Sequence, residues 1–311
     1  MRIVFCGTPA AAVPSLEALA ARRPEWEILA VLTQPDRPAG RGRRLAPSPV
    51  KSAALALGLD VLSPPDLKGA EIRETLVSLR PDVIAVIAYG HIFRRWLLEL
   101  PALGCVNVHF SLLPRHRGVA PVQWAILAGD AEAGVVTMRM ERGVDTGPVY
   151  GERRVPIRDD ETAASLTERL AGLGAPLLVE TLQKLAAGRA VPRPQDEALA
   201  TYARRLEKED GRLDFALPAD ELARRVRGLW PWPGAFTEFR GDVLKIHRAT
   251  ARPGELAPGR LRLEDGRVEA GTGRGVLLLE EVQAAGKARM EAAAWWRGCR
   301  PSLTEALGSG E

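Results

Sequence analysis

Val83-Ile84-Ala85-Val86-Ile87 is an apolar run with no polar residue at either alternate position. A strand with one wet face would alternate, so this run predicts a strand of a parallel sheet covered on both sides. Residues 3–5 and 28–32 form similar runs before it, and Val106-Asn107-Val108-His109 is a shorter one after it. Between these runs, residues 13–21, 50–57 and 72–79 space their apolar side chains as helices do. Strand and helix alternating at this pitch predict an α/β fold on a Rossmann-like, mostly parallel sheet. The turn after the first strand, Gly7-Thr8-Pro9, has a single glycine and lacks the Gly-x-Gly-x-x-Gly of dinucleotide sites, so no dinucleotide cofactor is expected.

The chain has 311 residues, the length of two domains at roughly 150 residues each. A helix is expected over residues 162–187, opening at Asp160-Glu161-Thr162 and stopped by Gly188. Gly174-Ala175-Pro176 is expected to kink or split it. Residues 189–196 are mostly polar and twice broken by proline, the pattern of a linker. Beyond about Leu206 the pattern changes. A helix over 219–228 leads to short strand-like runs at 235–239, 243–247, 259–263, 267–270 and 275–279, with Gly and Asp turns between them. These predict a small β-barrel, OB-like in type. The expected organisation is a first domain over 1–189, a linker over 190–205 and a C-terminal domain over 206–311.

Charge is concentrated. Residues 34–51 hold Arg37, Arg41, Arg43, Arg44 and Lys51 against Asp36 alone, a surplus equal to the formal net charge of the whole chain, +4. A basic, Gly- and Pro-containing loop cannot pack a core. It is either a solvated surface or a contact for a polyanion, nucleic acid first. No apolar run reaches the ~18 residues of a membrane span. Cys6, Cys105 and Cys299 are too few and too scattered for a disulfide framework or a zinc site, so no metal is expected. The N-terminus runs straight into a strand without a signal-peptide pattern, and a cytoplasmic protein is expected.

Asparagine occurs once in the whole chain, at Asn107, two residues before His109. In a strand the two share a face, near the C-terminal end where open α/β sheets place their ligands. Downstream, Asp145 sits between glycines in Gly143-Val144-Asp145-Thr146-Gly147. Taken singly, His109 reads as a satisfied structural group and Asp145 as a turn residue capping its own backbone. Taken together, an amide and an imidazole can donate to an oxyanion while a carboxylate orients the imidazole. Ser111 lies in no nucleophile-elbow context, and Cys105 opens a strand, where cysteine acts as a small hydrophobe. The set therefore suits direct attack by a substrate nucleophile on a carbonyl, without an acyl-enzyme.

Asn107-Val108-His109, Ser111-Leu112-Leu113-Pro114-Arg115 with Arg117-Gly118, and Asp145-Thr146-Gly147, in that order, resemble the folate-dependent formyltransferases. Residues 5–9, 34–42, 47–51, Thr201-Tyr202-Ala203 and Pro231-Trp232-Pro233-Gly234 are similar to the branch that formylates methionyl-tRNA, and the likeness runs over essentially the whole chain. The resemblance implies transfer of the formyl group of 10-formyltetrahydrofolate to the α-amine of initiator methionyl-tRNA by a monomer. It implies that Asn107, His109 and Asp145 are catalytic. Ser111, Leu112, Leu113 and Pro114 would contact the folate, and Tyr89, Gly90, Met140 and Val144 would line the pterin pocket, largely by backbone. Arg37, Arg41, Arg43, Arg44 and Lys51 would grip the tRNA, and the C-terminal domain would bind its body. A formyltransferase for an amino sugar nucleotide would have no long polyanion to hold, which the basic loop argues against. After Tyr89-Gly90 this chain departs from the family's aliphatic pattern with His91-Ile92-Phe93-Arg94-Arg95.

Overall fold

The computed structural model describes residues 1–39, 44–302 and 305–308. The chain forms two compact units. One takes residues 1–121, 132–155 and 167–203, and the other takes 122–131, 156–166 and 204 onward.

The strands of the first unit are β1 (Arg2–Gly7), β2 (Glu27–Leu32), β3 (Arg37–Ala39), β4 (Arg44–Ala46), β5 (Val61–Leu62), β6 (Val83–Ile87), β7 (Cys105–His109), β8 (Arg117–Gly118), β9 (Glu132–Arg139), β10 (Val149–Pro156) and β11 (Tyr202–Ala203). Seven of them make one sheet in the order β10-β9-β7-β6-β1-β2-β5, while β3 pairs with β4 and β8 with β11. From β5 to β7 all pairings are parallel. Strand β9 then runs antiparallel to β7. All five residues of β6 are buried, as its unbroken apolar run requires.

The helices up to residue 186 are α1 (Val13–Ala20), α2 (Pro49–Ala56), α3 (Ala70–Leu79), α4 (Arg95–Leu98), α5 (Pro121–Ala128) and α6 (Ala163–Ala186); residues 122–128 of α5 and 163–166 of α6 are counted in the second unit. Helix α2 starts where its residues dictate. The Ser48 hydroxyl accepts the Lys51 N–H at 3.0 Å, and Pro49 fills the first helical position, where no amide hydrogen is needed. Helix α6 is not split in two: it is one helix, with Pro176 inside it. Its small residues let it sit close on the sheet. A Cβ on Gly174 would lie 2.9 Å from Val108 and 3.1 Å from Val135. Packing of that closeness supports the helix through the proline.

The segment expected to be a linker also differs. Val149 and Arg193 exchange two backbone hydrogen bonds at 2.8 Å. Thr201 N–H donates to the Pro114 carbonyl at 3.2 Å, and β11 then pairs in parallel with β8. The chain is laid onto the first unit as far as Ala203. Composition marks it as irregular, but its backbone groups find tertiary partners.

The second unit holds α7 (Ala219–Gly228), β12 (Ala235–Phe239), β13 (Asp242–Arg252), β14 (Leu261–Glu264), β15 (Arg267–Gly271), β16 (Val276–Ala284), β17 (Met290–Glu291) and α8 (Ala292–Cys299). Its antiparallel sheet runs β12-β13-β16-β15-β14, with β17 on β16. Leu222 and Val226 of α7, Ile246, Leu277 and Trp295 share its core. Among the described residues, no helix is long and apolar enough to cross a membrane.

Candidate active site

Strand β7 carries Val106 and Val108 on one face and Asn107 and His109 on the other. Val108 faces Gly174 of α6, so Asn107 and His109 point away from that helix. Asn107 lies beside Val86 of β6 and Met138 of β9, at the border where parallel pairing changes to antiparallel. Its carboxamide is half-buried and makes no hydrogen bond to another described residue. His109 is 6% exposed. A carbonyl can only accept, so His109 Nε2 donates to the His116 carbonyl at 3.0 Å. The other ring nitrogen, Nδ1, faces Asp145 Oδ2 at 3.6 Å.

Asp145 adopts φ 53°, in the left-handed region that Asp tolerates better than most residues. Its carboxylate accepts the Gly118 N–H at 2.8 Å. Gly118 has φ 116°, and a Cβ there would lie 2.6 Å from the Ala203 carbonyl oxygen. The pairing of β8 with β11 therefore requires glycine where it delivers that N–H. Gln195 Nε2 donates to the carbonyls of Asp145 (2.8 Å) and Gly147 (2.7 Å). Arg117, 0% exposed, binds Gln195 through Nε and Nη2, and Glu197 through Nη1 and Nη2. Its hydrogen bond to Glu197 raises the Arg117 guanidinium above its ordinary range, and Arg117 holds the Glu197 carboxyl below its own.

The structure thus brings Asn107, His109 and Asp145 together. Sequence reasoning gave no part to Gln195 or Glu197, which sat in the supposed linker. Arg117 appeared there only as a motif residue. A buried arginine next to a glycine beside a turn residue leaves no periodic signature.

The other expected residues are placed unevenly. The Ser111 hydroxyl donates to the Arg115 carbonyl at 2.7 Å and is buried. Leu112 packs over Gly134 of β9, and Leu113 packs against Val136, Met138 and Val149. Pro114 gives its carbonyl to Thr201. The Tyr89 side chain is turned into the core with Cys6, Phe93 and Leu97, and Met140 packs against the same cluster. Burial pushes the Tyr89 phenol well up, and its hydroxyl has no partner among the described residues. The Tyr89 carbonyl accepts from Thr8 Oγ1 at 3.1 Å and Gln34 Nε2 at 3.2 Å. Gly90 has φ 86°, and Val144 is 61% exposed. His91 packs edge-on against Tyr89 at 4.9 Å; burial lowers its pKa, and its Nε2 is a second partnerless buried atom. Burial raises the Cys6 thiol far above its ordinary value and the Cys105 thiol to about 12, so neither supplies a thiolate.

Of the basic segment, Lys51 is paired with Asp36 at 2.8 Å, and Arg37 donates to Gln34 at 3.0 Å. Arg41 and Arg43, with the Arg44 side chain, lie outside the described residues. A cleft of about 980 Å³ lies in the second unit, lined in part by Arg158, Arg224, Arg227, Trp230, His247 and Arg289, and contains none of the three candidate catalytic residues. No group of three or more His, Cys, Asp or Glu among the described residues is placed to hold a metal ion.

The Formyl transferase family model matches residues 1–182, and the Formyl transferase, C-terminal domain model matches residues 205–300. A methionyl-tRNA formyltransferase of Koribacter versatilis is 49% identical over 99% of each chain. One of Methylococcus capsulatus is 52% identical over 94% of this chain and 95% of its own. Among solved structures, a sugar 3N-formyl transferase crystallised with dTDP and 5-N-formyl-THF superposes with a TM-score of 0.68 over 93% of this chain and 99% of its own, at 16% identity. That last likeness speaks for the fold alone. With a shared fold, both family models in order and about half of all residues identical from end to end, the chain belongs to the methionyl-tRNA formyltransferase family.

Proposed function

We propose that the chain moves the formyl group of 10-formyltetrahydrofolate to the α-amine of initiator methionyl-tRNA by direct attack of that amine. One observation carries the mechanism: an Asn107 carboxamide with no hydrogen-bond partner among the described residues stands on the same strand face as a His109 that meets Asp145. An α-amine titrates near ~7.7–8.0 and esterification of its carboxyl lowers that further, so a neutral nucleophile needs no strong base. The barrier is the negative charge that grows on the formyl oxygen. Asn107 is free to donate to it. His109 Nε2–H, resting on the His116 carbonyl, is the second donor. A growing oxyanion is a stronger acceptor than a carbonyl and draws the hydrogen bond across. Asp145 orients the imidazole, and as the tetrahedral intermediate collapses the C–N10 bond breaks and the proton lost by the attacking amine passes to N10 of the departing tetrahydrofolate.

The folate fits the end of β6. His91 Nε2 there has no partner among the described residues, whereas the Tyr89 side chain is turned into the core, so Tyr89 contributes through its backbone. Ser111, Leu112 and Leu113 have their side chains engaged within the protein, so their contact with the folate is through backbone. Gly90, Met140 and Val144 contribute in the same way.

The tRNA is held by Arg37, Arg41, Arg43, Arg44 and Lys51, with Lys51 releasing Asp36 to do so, and its body by the C-terminal domain. The enzyme works as a monomer in the cytoplasm. The test is formylation of charged initiator and elongator methionyl-tRNA by the purified protein with 10-formyltetrahydrofolate. Activity confined to the initiator is expected, and no activity on either overturns the reading. Each phosphate that a cation neutralises adds roughly 0.7–0.9 to the log–log slope of binding against salt. Alanine at Arg41, Arg43 and Arg44 therefore flattens that slope by about 2–3 and leaves the KM for the folate unchanged. An unaltered slope would mean that another surface holds the tRNA.

A further inference from the structure

The turn that carries Asp145 is held from outside. Its left-handed φ of 53° is costly for a residue with a side chain. Two residues on, Gly147 has no room for one: a Cβ would lie 1.8 Å from the Arg139 carbonyl oxygen. The turn is therefore pressed against β9 on one side. On the other, a single carboxamide ties down both the Asp145 and the Gly147 carbonyls, at 2.8 and 2.7 Å.

That carboxamide can face only one way. Two carbonyls need its nitrogen, and the Arg117 guanidinium needs its oxygen, at 3.0 Å from Nε and 2.8 Å from Nη2. Arg117 is wholly buried, and its outer edge is fixed by both oxygens of Glu197, which is 68% exposed. The next residue after Arg117 is Gly118, whose N–H binds the Asp145 carboxylate. One short strand thus controls the backbone of the turn through Gln195 and its carboxylate through Gly118.

We propose that Gln195, oriented by Arg117, is a positioning residue for formyl transfer. It holds the Asp145 backbone so that the carboxylate stays opposite His109 Nδ1 while Nε2 changes acceptor. The proposal rests on the reading of Asn107, His109 and Asp145 as the reacting set. Gln195 touches no substrate. Its effect passes through Asp145, and misplacement of a catalytic group by an ångström slows an enzyme by about 100-fold.

The test uses the full-length enzyme with Gln195→Met, which keeps the length of the side chain and removes its hydrogen bonds. Gln195→Glu is the second variant; it keeps an acceptor for Arg117 but presents oxygen to the two carbonyls. Both are expected to lower kcat about 10- to 100-fold with each KM held within about 3-fold. Melting temperature is expected to fall, because two carbonyls and the buried Arg117 guanidinium lose a partner, so kcat is taken per folded enzyme well below the unfolding transition. In an Asp145→Asn background, adding Gln195→Met should cost less than about 2-fold in single-turnover rate, because the turn has already lost the group it positions. Parental kcat in both Gln195 variants, full additivity with Asp145→Asn, or a loss of kcat that merely tracks loss of folded protein overturns the proposal and leaves the catalytic set untouched. Parental activity in Asp145→Asn alone overturns the catalytic set instead.

Discussion

Asn107 and His109 are two residues apart on one strand, but their surroundings differ. Asn107 has no hydrogen-bond partner among the described residues, whereas both nitrogens of His109 face oxygens, one on His116 and one on Asp145. Removal of either side chain deletes a donor that matters once charge has built up. Asn107→Ala and His109→Ala are each expected to lower kcat/KM by about 10² or more, with folate and tRNA binding within a few-fold. The double variant should cost less than the two singles combined, because both serve one oxygen. Steady-state kinetics beside equilibrium binding of each substrate checks this, and full activity in either single variant removes that residue from the reaction. Sequence made this pair legible because a strand's alternation puts positions 107 and 109 on one face. The His116 carbonyl was not legible: it comes from a residue at φ 56° in an irregular loop, whose direction no period encodes.

At the scale of elements, the shortest pairing does the most for the site. Strands β8 and β11 are two residues each, yet they set the Gly118 N–H against Asp145. Gly118→Ala drives a Cβ to 2.6 Å from the Ala203 carbonyl at a φ of 116°. The strands must part, so both melting temperature and kcat are expected to fall. Gly188→Ala is the control. It also has positive φ, 65°, but meets nothing within 4 Å, so it should cost only the ~1–2 kcal/mol of left-handed backbone strain and leave kcat alone. Equal losses of kcat in the two variants would detach the β8–β11 pairing from catalysis. Of the fold, the parallel strands β1, β2, β6 and β7 and helices α1, α2, α3 and α7 were legible, because each buries its apolar residues at its own period. Strands β9 and β10 were not singled out, and β10 is half-exposed at its edge, where the apolar pattern fades. The strap over 190–203 was misread as a tether for a related reason. Its order comes from partners about 45 to 85 residues away, such as Val149 and Pro114, and local composition holds no record of them.

For the whole molecule, ionisation sets an acid limit that is approached in two stages. Burial lowers the pKa of His91 and of His247 from their ordinary 6.5, so the folded protein holds fewer protons at these rings than the unfolded chain. Stability rises with pH wherever the unfolded state binds more protons. The contribution of the two rings is therefore complete above about pH 6.5 and is lost as pH falls below it. The carboxylates follow. Arginine partners depress Glu197, Asp210 and Asp220, and Arg240 takes Glu305 down to about 2. These groups share the same sign: their stabilisation is full above the ordinary carboxylate range near ~4 and disappears as pH drops toward their folded values. Denaturant melts at pH 8, 6, 5 and 3 should show a first decline as pH falls below about 6.5 and a second, steeper one below about 4. His91→Gln together with His247→Gln should abolish the first decline and leave the second. The reverse sign, stability increasing as pH falls from 7 to 5, would mean that these rings gain protons on folding and that burial does not govern them.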